Sequence, residues 1–589
     1  MKVLWVYFDI GTGNQMHYNH GVGAIDAVIR KGGHDTSLAY YREAPSRDEV
    51  RRDIREHSPD LLFFPVNTHQ WMFARQYADW AKEDFDLMTV VGGIHAILSP
   101  EEVIAHPTVD AVATGEGEYA ALELLDNLRD GRPVGGIEGL YVRSPSGKVQ
   151  RNPFRHLIEN LDELPISRRE IWDYTSILLD SCYEMVFMGG RGCPFRCNYC
   201  ANSARREKYK GHGKFVRMCS PEKLIEMIEV AEQDYNFDRL FIEDDVFIFK
   251  HSWTRKFCEL YKKRFSYGFR AYVRVEFCTR EILEVMKDAG CYQILVGVEA
   301  GNERMRHEIL NRKMNNEDIV RVFRWADEVG LKTWNFNMFG FPDETEQTVQ
   351  DLFDLNRKIR PNKAQVSIFY PYPSTELYRI CEERGYLTRN EQASYFENTT
   401  IKLPTISHEK LQDAFWKFRY LSLQIRAEKD AKGYLDFSTL LEQAEIRAEN
   451  EENVKLALFK INGWEDITLF EHPRAQVRFR VDVKPDTFFR TSIGLDPHCI
   501  GWGGRGVRFL LTVRNGSRAR VLVDRYLDPK QDPSQRRWHH VQEDISDLAG
   551  REVEFEFVTE PDPSGDLRGA WGGWMRPHLV QKDKRGTQA

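Results

Sequence analysis

The chain reads as a multidomain α/β protein: a doubly wound (Rossmann-like) domain, a partial (β/α)6 barrel, a helical cap and a carboxyl-terminal β-sandwich of jelly-roll type. Three observations predict this. Apolar runs alternate with amphipathic segments of period 3.6 through residues 1–145, the mark of βαβ units around a parallel sheet. The same alternation resumes at 183 and continues to 375, with about six strand–helix pairs, fewer than the eight of a closed barrel. From 452 onward short alternating runs are separated by turns every ten residues or so, the pattern of a sandwich.

Taken in order, residues 1–145 supply "KVLWVYF", "DLLFFPV", "LMTVVGG" and "DAVATG" as strands, with helices such as "GAIDAVIRKGGH" between them. Ligands of such a sheet sit beyond the carboxyl ends of its strands. Those ends carry "NQMHYNHG", "NTHQ", "GGIH" and "GEGE". Residues 146–180 are polar and turn-rich and read as a linker with a short docking hairpin. The barrel is assigned to 181–400, a charged helical segment capping it to 401–451, and the sandwich to 452–589.

A net charge of -8 spread over 589 residues offers no electrostatic footprint for nucleic acid. No run of about 18 apolar residues is present to cross a bilayer, and the amino terminus reads as a buried strand rather than a signal peptide. No membrane association is expected, and the cytoplasm is the expected location. The ten cysteines are scattered apart from one group, so a disulfide framework is not indicated.

That group is "RGCPFRCNYC", with Cys193, Cys197 and Cys200 in a loop so short that the sulfurs are expected to converge on a metal or a cluster. Structural zinc is the competing reading. It needs a fourth ligand, and neither Cys219 nor His212 stands at a usual offset. An iron–sulfur cube held by three thiolates instead leaves one iron open to another molecule.

With Tyr199 before the last cysteine, the loop resembles the signature of the radical SAM superfamily. The resemblance implies a [4Fe-4S] cluster whose open iron chelates the amino and carboxylate groups of S-adenosyl-L-methionine (SAM). An electron, from a donor such as flavodoxin or ferredoxin, then splits the sulfonium to a hydrogen-abstracting 5'-deoxyadenosyl radical. It further implies SAM contacts from Tyr199, from Glu243 and Asp244 in "FIEDDVF", from Glu299 in "GVEAG", from Arg312 in "LNRKM" and from Gly340 in "FGFPDET". An acidic helix cap is the alternative reading of "EDD".

A doubly wound domain ahead of such a barrel resembles the cobalamin-binding class of that superfamily. "VVGGIHAIL" and "TGEGEYAALELL" look like its "GGxH" and "GEGE" stretches, which implies cobalamin contacts from Gly92, Gly93, His95, Gly115, Glu116 and Gly117, joined by Tyr18 and Asn67 at neighbouring strand ends. The glycines are expected to admit a flat ligand close to the backbone. A dinucleotide domain is the rival, weakened because no GxGxxG turn follows the first strand. The D-x-H-x-x-G cobalt-ligand motif is also missing: counting back from "RKGGH" puts Tyr18 where the histidine would stand, and a second register, His20 with Gly23, keeps a histidine but has Tyr18 in the aspartate position. No histidine is therefore expected to coordinate cobalt from below.

Paired with this radical chemistry, cobalamin implies methylation of an unactivated carbon or phosphorus centre in a small-molecule, peptide or glycan substrate. Rearrangement, ring contraction or cyclisation without methyl transfer is the second reading, and a non-catalytic glycan-binding or sensory protein the third. Tyr370 and Tyr372 suit core and rim equally. The sandwich resembles carbohydrate-binding jelly rolls, in which exposed Trp rings stack on sugars, but Trp538, Trp571 and Trp574 read first as core.

Overall fold

The computed structural model describes residues 1–11, 16–388, 401–461, 464–499 and 503–581. The chain forms two compact units, Met1–Ile359 with Ala364–Trp416, and Arg360–Lys363 with Lys417–Ala589.

The first sheet of unit one comprises β1 (Lys2–Phe8), β2 (Asp35–Tyr41), β3 (Leu61–Pro65), β4 (Met88–Gly92), β5 (Ala111–Ala113), β6 (Leu140–Arg143) and β7 (Val149–Arg151), in the order β2-β1-β3-β4-β5-β6-β7. The first five strands pair in parallel and the last two antiparallel. β1 is buried from Val3 to Phe8 and β3 from Leu61 to Phe64, because helices cover both faces of a parallel sheet. Sheet growth reverses at β1, so a crevice opens between the carboxyl ends of β1 and β3. Helix His20–Lys31 starts there, capped by Asn19, whose side-chain oxygen accepts from the Val22 N–H at 3.0 Å.

The second sheet begins with β8 (Glu184–Phe187). A small antiparallel pair, β9 (Gly190–Arg191) with β10 (Arg217–Met218), lies beyond it. β11 (Arg239–Ile242), β12 (Gly268–Val273), β13 (Cys291–Glu299), β14 (Lys332–Phe339) and β15 (Lys363–Ile368) complete the order β15-β14-β13-β12-β11-β8. Six strands in one open sheet match the expected partial barrel.

Residues 146–180 are more than a linker. After β7 extends the first sheet, Leu157, Leu161, Leu164, Trp172 and Tyr174 are all buried. Turn-rich sequence hid this packed segment because it has no period to read.

Unit two is a sandwich. β16 (Leu435–Asp436), β17 (Glu445–Arg447), β18 (Val454–Ile461), β19 (Trp464–Glu471), β20 (Ala475–Asp482), β21 (Thr487–Leu495), β22 (Val507–Asn515), β23 (Arg518–Leu527), β24 (His539–Asp544), β25 (Glu552–Pro561) and β26 (Gly572–Gln581) form two antiparallel sheets, β18-β19-β26-β21-β24 and β17-β20-β25-β22-β23. Strands such as β20 alternate buried and open residues, as one-sided sheets require. The unit takes in Arg360–Lys363 and the chain from Lys417 onward, ahead of the 452 expected for the sandwich: β16 and β17 join its sheets, and Ala427, Phe437 and Leu441 lie in its core. Much of the segment expected to cap the barrel therefore belongs to the sandwich. Trp574 is wholly buried in the core, Trp538 closes a second cluster with Phe459, Ile461 and Phe470, and Trp571 is half-buried with its ring 6.2 Å from that of Phe470. Among the described residues, no helix is long and apolar enough to cross a membrane.

Candidate active site

The three-cysteine loop leaves β8 through Gly189 and Gly190 and turns sharply at Gly192. There φ is +83°, and a Cβ would run into the carbonyl of Phe215. Cys197 is buried, Cys193 and Cys200 are half-buried, and Cys200 caps the amino terminus of helix Ala201–Lys208, whose dipole favours negative charge. Burial pushes the Cys193 thiol up to about 11 and the Cys200 thiol up to about 12, and both feel the charge of the other cysteines. Among the described residues no three Cys, His, Asp or Glu side chains are arranged to hold one metal ion. A cluster accepts this, since each thiolate binds its own iron. Two buried guanidiniums approach Cys197 Sγ, Arg274 Nη1 at 3.4 Å and Arg312 Nη1 at 3.8 Å, a donor set suited to an anionic centre.

Arg312 draws several expected SAM contacts together. Its Nη1 donates to the Tyr199 hydroxyl at 3.0 Å and lies 3.7 Å from Glu299, and its Nη2 donates to the Gly297 carbonyl. Its Nε is buried without a partner. Glu299 ends β13 in the left-handed region, at φ +69°. Burial raises its carboxyl, against the pull of Arg312. Gly340, at φ +87°, and Phe341 offer their N–H groups to Glu344, a buried acid pushed up to about 7 by desolvation.

The "EDD" carboxylates part company. Glu243 Oε2 lies 3.0 Å from His20 Nε2, across to the first domain. Asp244 turns beneath the loop and accepts the N–H groups of Gly189 at 2.6 Å and Gly190 at 3.0 Å; burial pushes its carboxyl up to about 6. Asp244 therefore shapes the stem of the cysteine loop. Asp245, the third carboxylate of the run, accepts from Asn202 Nδ2 at 2.7 Å.

A cavity of about 520 Å³ opens at the switch point of the first sheet. Of the residues expected to touch cobalamin, Tyr18, Asn67, Gly93, Gly115, Glu116 and Gly117 line it. Gly92 and His95 are not in the lining. His95 turns inward on helix Ile94–Leu98, its ring 5.9 Å from that of Trp71 and its Nε2 3.6 Å from Glu102. Two of these glycines also make room for protein: a Cβ on Gly93, at φ +90°, would stand 2.6 Å from the Val66 nitrogen, and one on Gly117 2.7 Å from Ile25 Cδ1. Tyr18 donates its hydroxyl to Ser167 at 3.1 Å, so the packed segment after β7 forms part of the wall.

Glu116 is engaged on both oxygens. Arg217 reaches it with Nη1 at 2.9 Å and Nη2 at 2.8 Å, Arg191 Nη1 at 3.0 Å, and the Ile158 N–H at 2.9 Å. Burial alone would raise its carboxyl, but the Arg217 hydrogen bonds and the two guanidinium charges hold it down at about 2. Arg191 also binds Glu118 at 2.5 Å. This cluster was missed, because two-residue strands such as β9 and β10 leave no period in a sequence. Tyr370 and Tyr372 are half-buried, with rings 4.5 and 6.0 Å from that of the buried His69.

The donors fit both groups. The crevice between β1 and β3, with its mixed polar and apolar lining, suits a large flat ligand, and the loop beneath two arginines suits a cluster. The cavity reaches from Tyr7 and Gly115 to Gly192, the residue before Cys193.

Residues 188–355 match the radical SAM superfamily and residues 9–125 the B12 binding domain. An uncharacterized methyltransferase of Pyrococcus horikoshii is 27% identical over 412 residues, covering 69% of this chain and 87% of the relative. The anaerobic magnesium-protoporphyrin IX monomethyl ester cyclase of Rubrivivax gelatinosus is 25% identical over 343 residues, 57% of this chain and 60% of the relative. Among solved structures, the radical S-adenosylmethionine methyltransferase TsrM of Kitasatospora setae, with cobalamin and a [4Fe-4S] cluster bound, superposes with a TM-score of 0.55 at 18% identity, over 66% of this chain and 79% of that one.

Proposed function

From a chain that joins a B12-binding domain to a radical SAM domain, and is therefore an enzyme of the cobalamin-binding radical SAM family, we infer methylation of an unactivated carbon or phosphorus centre in a small molecule, peptide or glycan. The radical SAM domain implies a [4Fe-4S] cluster and SAM, and the B12 domain implies cobalamin. When bound, these groups supply a hydrogen-abstracting radical and a methyl donor. One observation carries the reading: a single cavity runs from the carboxyl edge of the first sheet to the residue before Cys193. Two groups held at its ends can act on one substrate atom.

In this reading Cys193, Cys197 and Cys200 hold the cluster, and Arg274 and Arg312 balance charge on the Cys197 sulfur. Arg312 and Glu299 stand 3.7 Å apart with opposite charges, a pair matched to the carboxylate and ammonium of an amino acid. Tyr199 and the Gly340 turn frame the same place. Tyr18, Asn67, Gly93, Gly115 and Gly117 bound the cobalamin cavity, while Glu116 clamps its wall. Flavodoxin or ferredoxin in a reducing cytoplasm serves as the electron source.

The test uses anaerobically reconstituted protein, cobalamin, a reductant, candidate substrates and SAM labelled in its methyl group. Label in the product supports methyl transfer. Cleavage of SAM with an altered but unlabelled product assigns the chain to the cyclisation or rearrangement class, which the cyclase relative favours. Failure to cleave SAM with an intact cluster leaves only a non-catalytic scaffold.

A further inference from the structure

Asn198 stands between two of the cluster cysteines, and no role in the chemistry above falls to it. Its bonding is nonetheless unusually complete. The backbone N–H donates to the Leu310 carbonyl at 3.0 Å, the side-chain Nδ2 donates to the Ile309 carbonyl at 2.8 Å, and its own carbonyl accepts the Leu377 N–H at 3.0 Å. Ile309 and Leu310 close a single π-helical turn, Met305–Ile309. Such turns leave carbonyls without helical partners and recur at functional sites.

The turn itself is pinned from inside. Arg306 is 0% exposed, and its guanidinium donates to the Met314 carbonyl at 3.2 Å, the Ala300 carbonyl at 2.5 Å and Asn316 Oδ1 at 2.5 Å. The Arg312 N–H donates back to the Arg306 carbonyl at 2.7 Å. Arg312 then reaches Tyr199, the neighbour of Asn198, at 3.0 Å. The path from Asn198 through the π turn to Arg312 and back to Tyr199 is therefore a closed ring. The cysteine loop cannot shift against Arg312 without breaking one of its bonds.

We infer that Asn198 is a positioning residue that fixes the cysteine loop at a set distance from Arg312, and so sets where SAM binds relative to the cluster. This rests on the cluster reading above. An apolar residue would fill the same space, but it would leave the Ile309 carbonyl unpaired and the loop free to tilt.

The test compares wild type, Asn198→Ala and the isosteric Asn198→Asp, reconstituted anaerobically. The readouts are iron content, thermal stability, SAM dissociation constant and the EPR spectrum of the reduced cluster with and without SAM. The expected result is wild-type stability with SAM affinity lowered about tenfold, as the loss of one well-made hydrogen bond in a charged site gives, and with the SAM-induced change in the EPR spectrum diminished. Lost iron at unchanged stability also supports the assignment, since the loop is then misplaced. Wild-type affinity and spectra in both variants overturn it, as does global unfolding of both, which makes the bond one of general stability. Wild-type protein that takes up no cluster refutes the cluster reading, and this inference with it.

Discussion

Replacing Glu116 by Gln keeps the shape of the side chain and removes the charge at the centre of the Arg191–Glu116–Arg217 cluster. The carboxyl is held at about 2 against an ordinary 4.5, a displacement of about 2.5 units, or about 3 kcal/mol. A depressed acid contributes stability that is fully present above its unfolded pKa and lost as pH falls through the folded one. The contribution is therefore whole at neutral pH and shrinks from about pH 4.5 downward. Leaving Arg217, nearly wholly buried, without its counter-charge raises the expected cost to about 3–5 kcal/mol. Native-state hydrogen exchange reads this at a defined place, because the Ile158 amide donates to Glu116 at 2.9 Å. At pH 7 that amide should exchange at least a hundredfold faster in the variant, the equivalent of about 3 kcal/mol. The difference from wild type should narrow below pH 4.5. An Ile158 amide protected within about 0.5 kcal/mol of wild type at pH 7 would refute the assignment of Glu116 as a clamp.

Glu471 predicts the opposite slope: burial pushes its carboxyl up to about 8, with the Trp574 N–H at 3.3 Å its partner. A raised acid loses stability as pH climbs from its unfolded value through the folded one, so unit two should melt progressively lower from pH 5 to 9, while Glu471→Gln should remain level and gain roughly 2–4 kcal/mol at pH 9; parallel melting curves for the two proteins exclude this. Gly93→Ala places a Cβ 2.6 Å from the Val66 nitrogen at φ +90°, so it should cost about 2–3 kcal/mol and lower cobalamin uptake, read from the visible spectrum of the reconstituted protein; uptake equal to wild type is the contrary result. Tyr18, not a histidine, faces the cavity at the ligand position, with its hydroxyl on Ser167. The cob(II)alamin EPR spectrum should accordingly lack imidazole nitrogen splitting, and its presence would direct attention to His20, which also lines the cavity.

What could be read in the sequence follows the range of the interactions involved. The cysteine loop, the strand ends and the two parallel sheets are local patterns, and they appear where periodicity and spacing put them. Glu116 was legible as a cavity residue but not as a clamp, because its partners lie 75 and 101 positions away. That His95 lies off the cavity lining was illegible for a related reason: the helix Ile94–Leu98 is five residues long, and nothing within it reveals which way it turns. The strands β16 and β17, which lie ahead of 452, are of two and three residues and too short to alternate visibly. Nothing local marks Asn198, since its partners come from a π turn more than a hundred positions downstream.

The way these long-range contacts are made bears on the chemistry. Apolar packing is non-directional, and two domains joined by it alone can slide by fractions of an ångström at little cost. A two-pronged guanidinium on a buried carboxylate is directional, and breaking it leaves charge stranded. Unit one uses the second kind of contact where the two ligand-bearing edges meet: Glu116 and Glu118 from the first domain, Arg191 from the stem of the cysteine loop and Arg217 from the strand beside it. The Asn198 ring adds further directional bonds to that loop. A reaction that must hold two cofactors on one substrate atom loses rate steeply with misplacement of about 1 Å. A cysteine loop gripped by directional bonds is thus the arrangement such a reaction needs, even where an apolar seam would give a more stable fold.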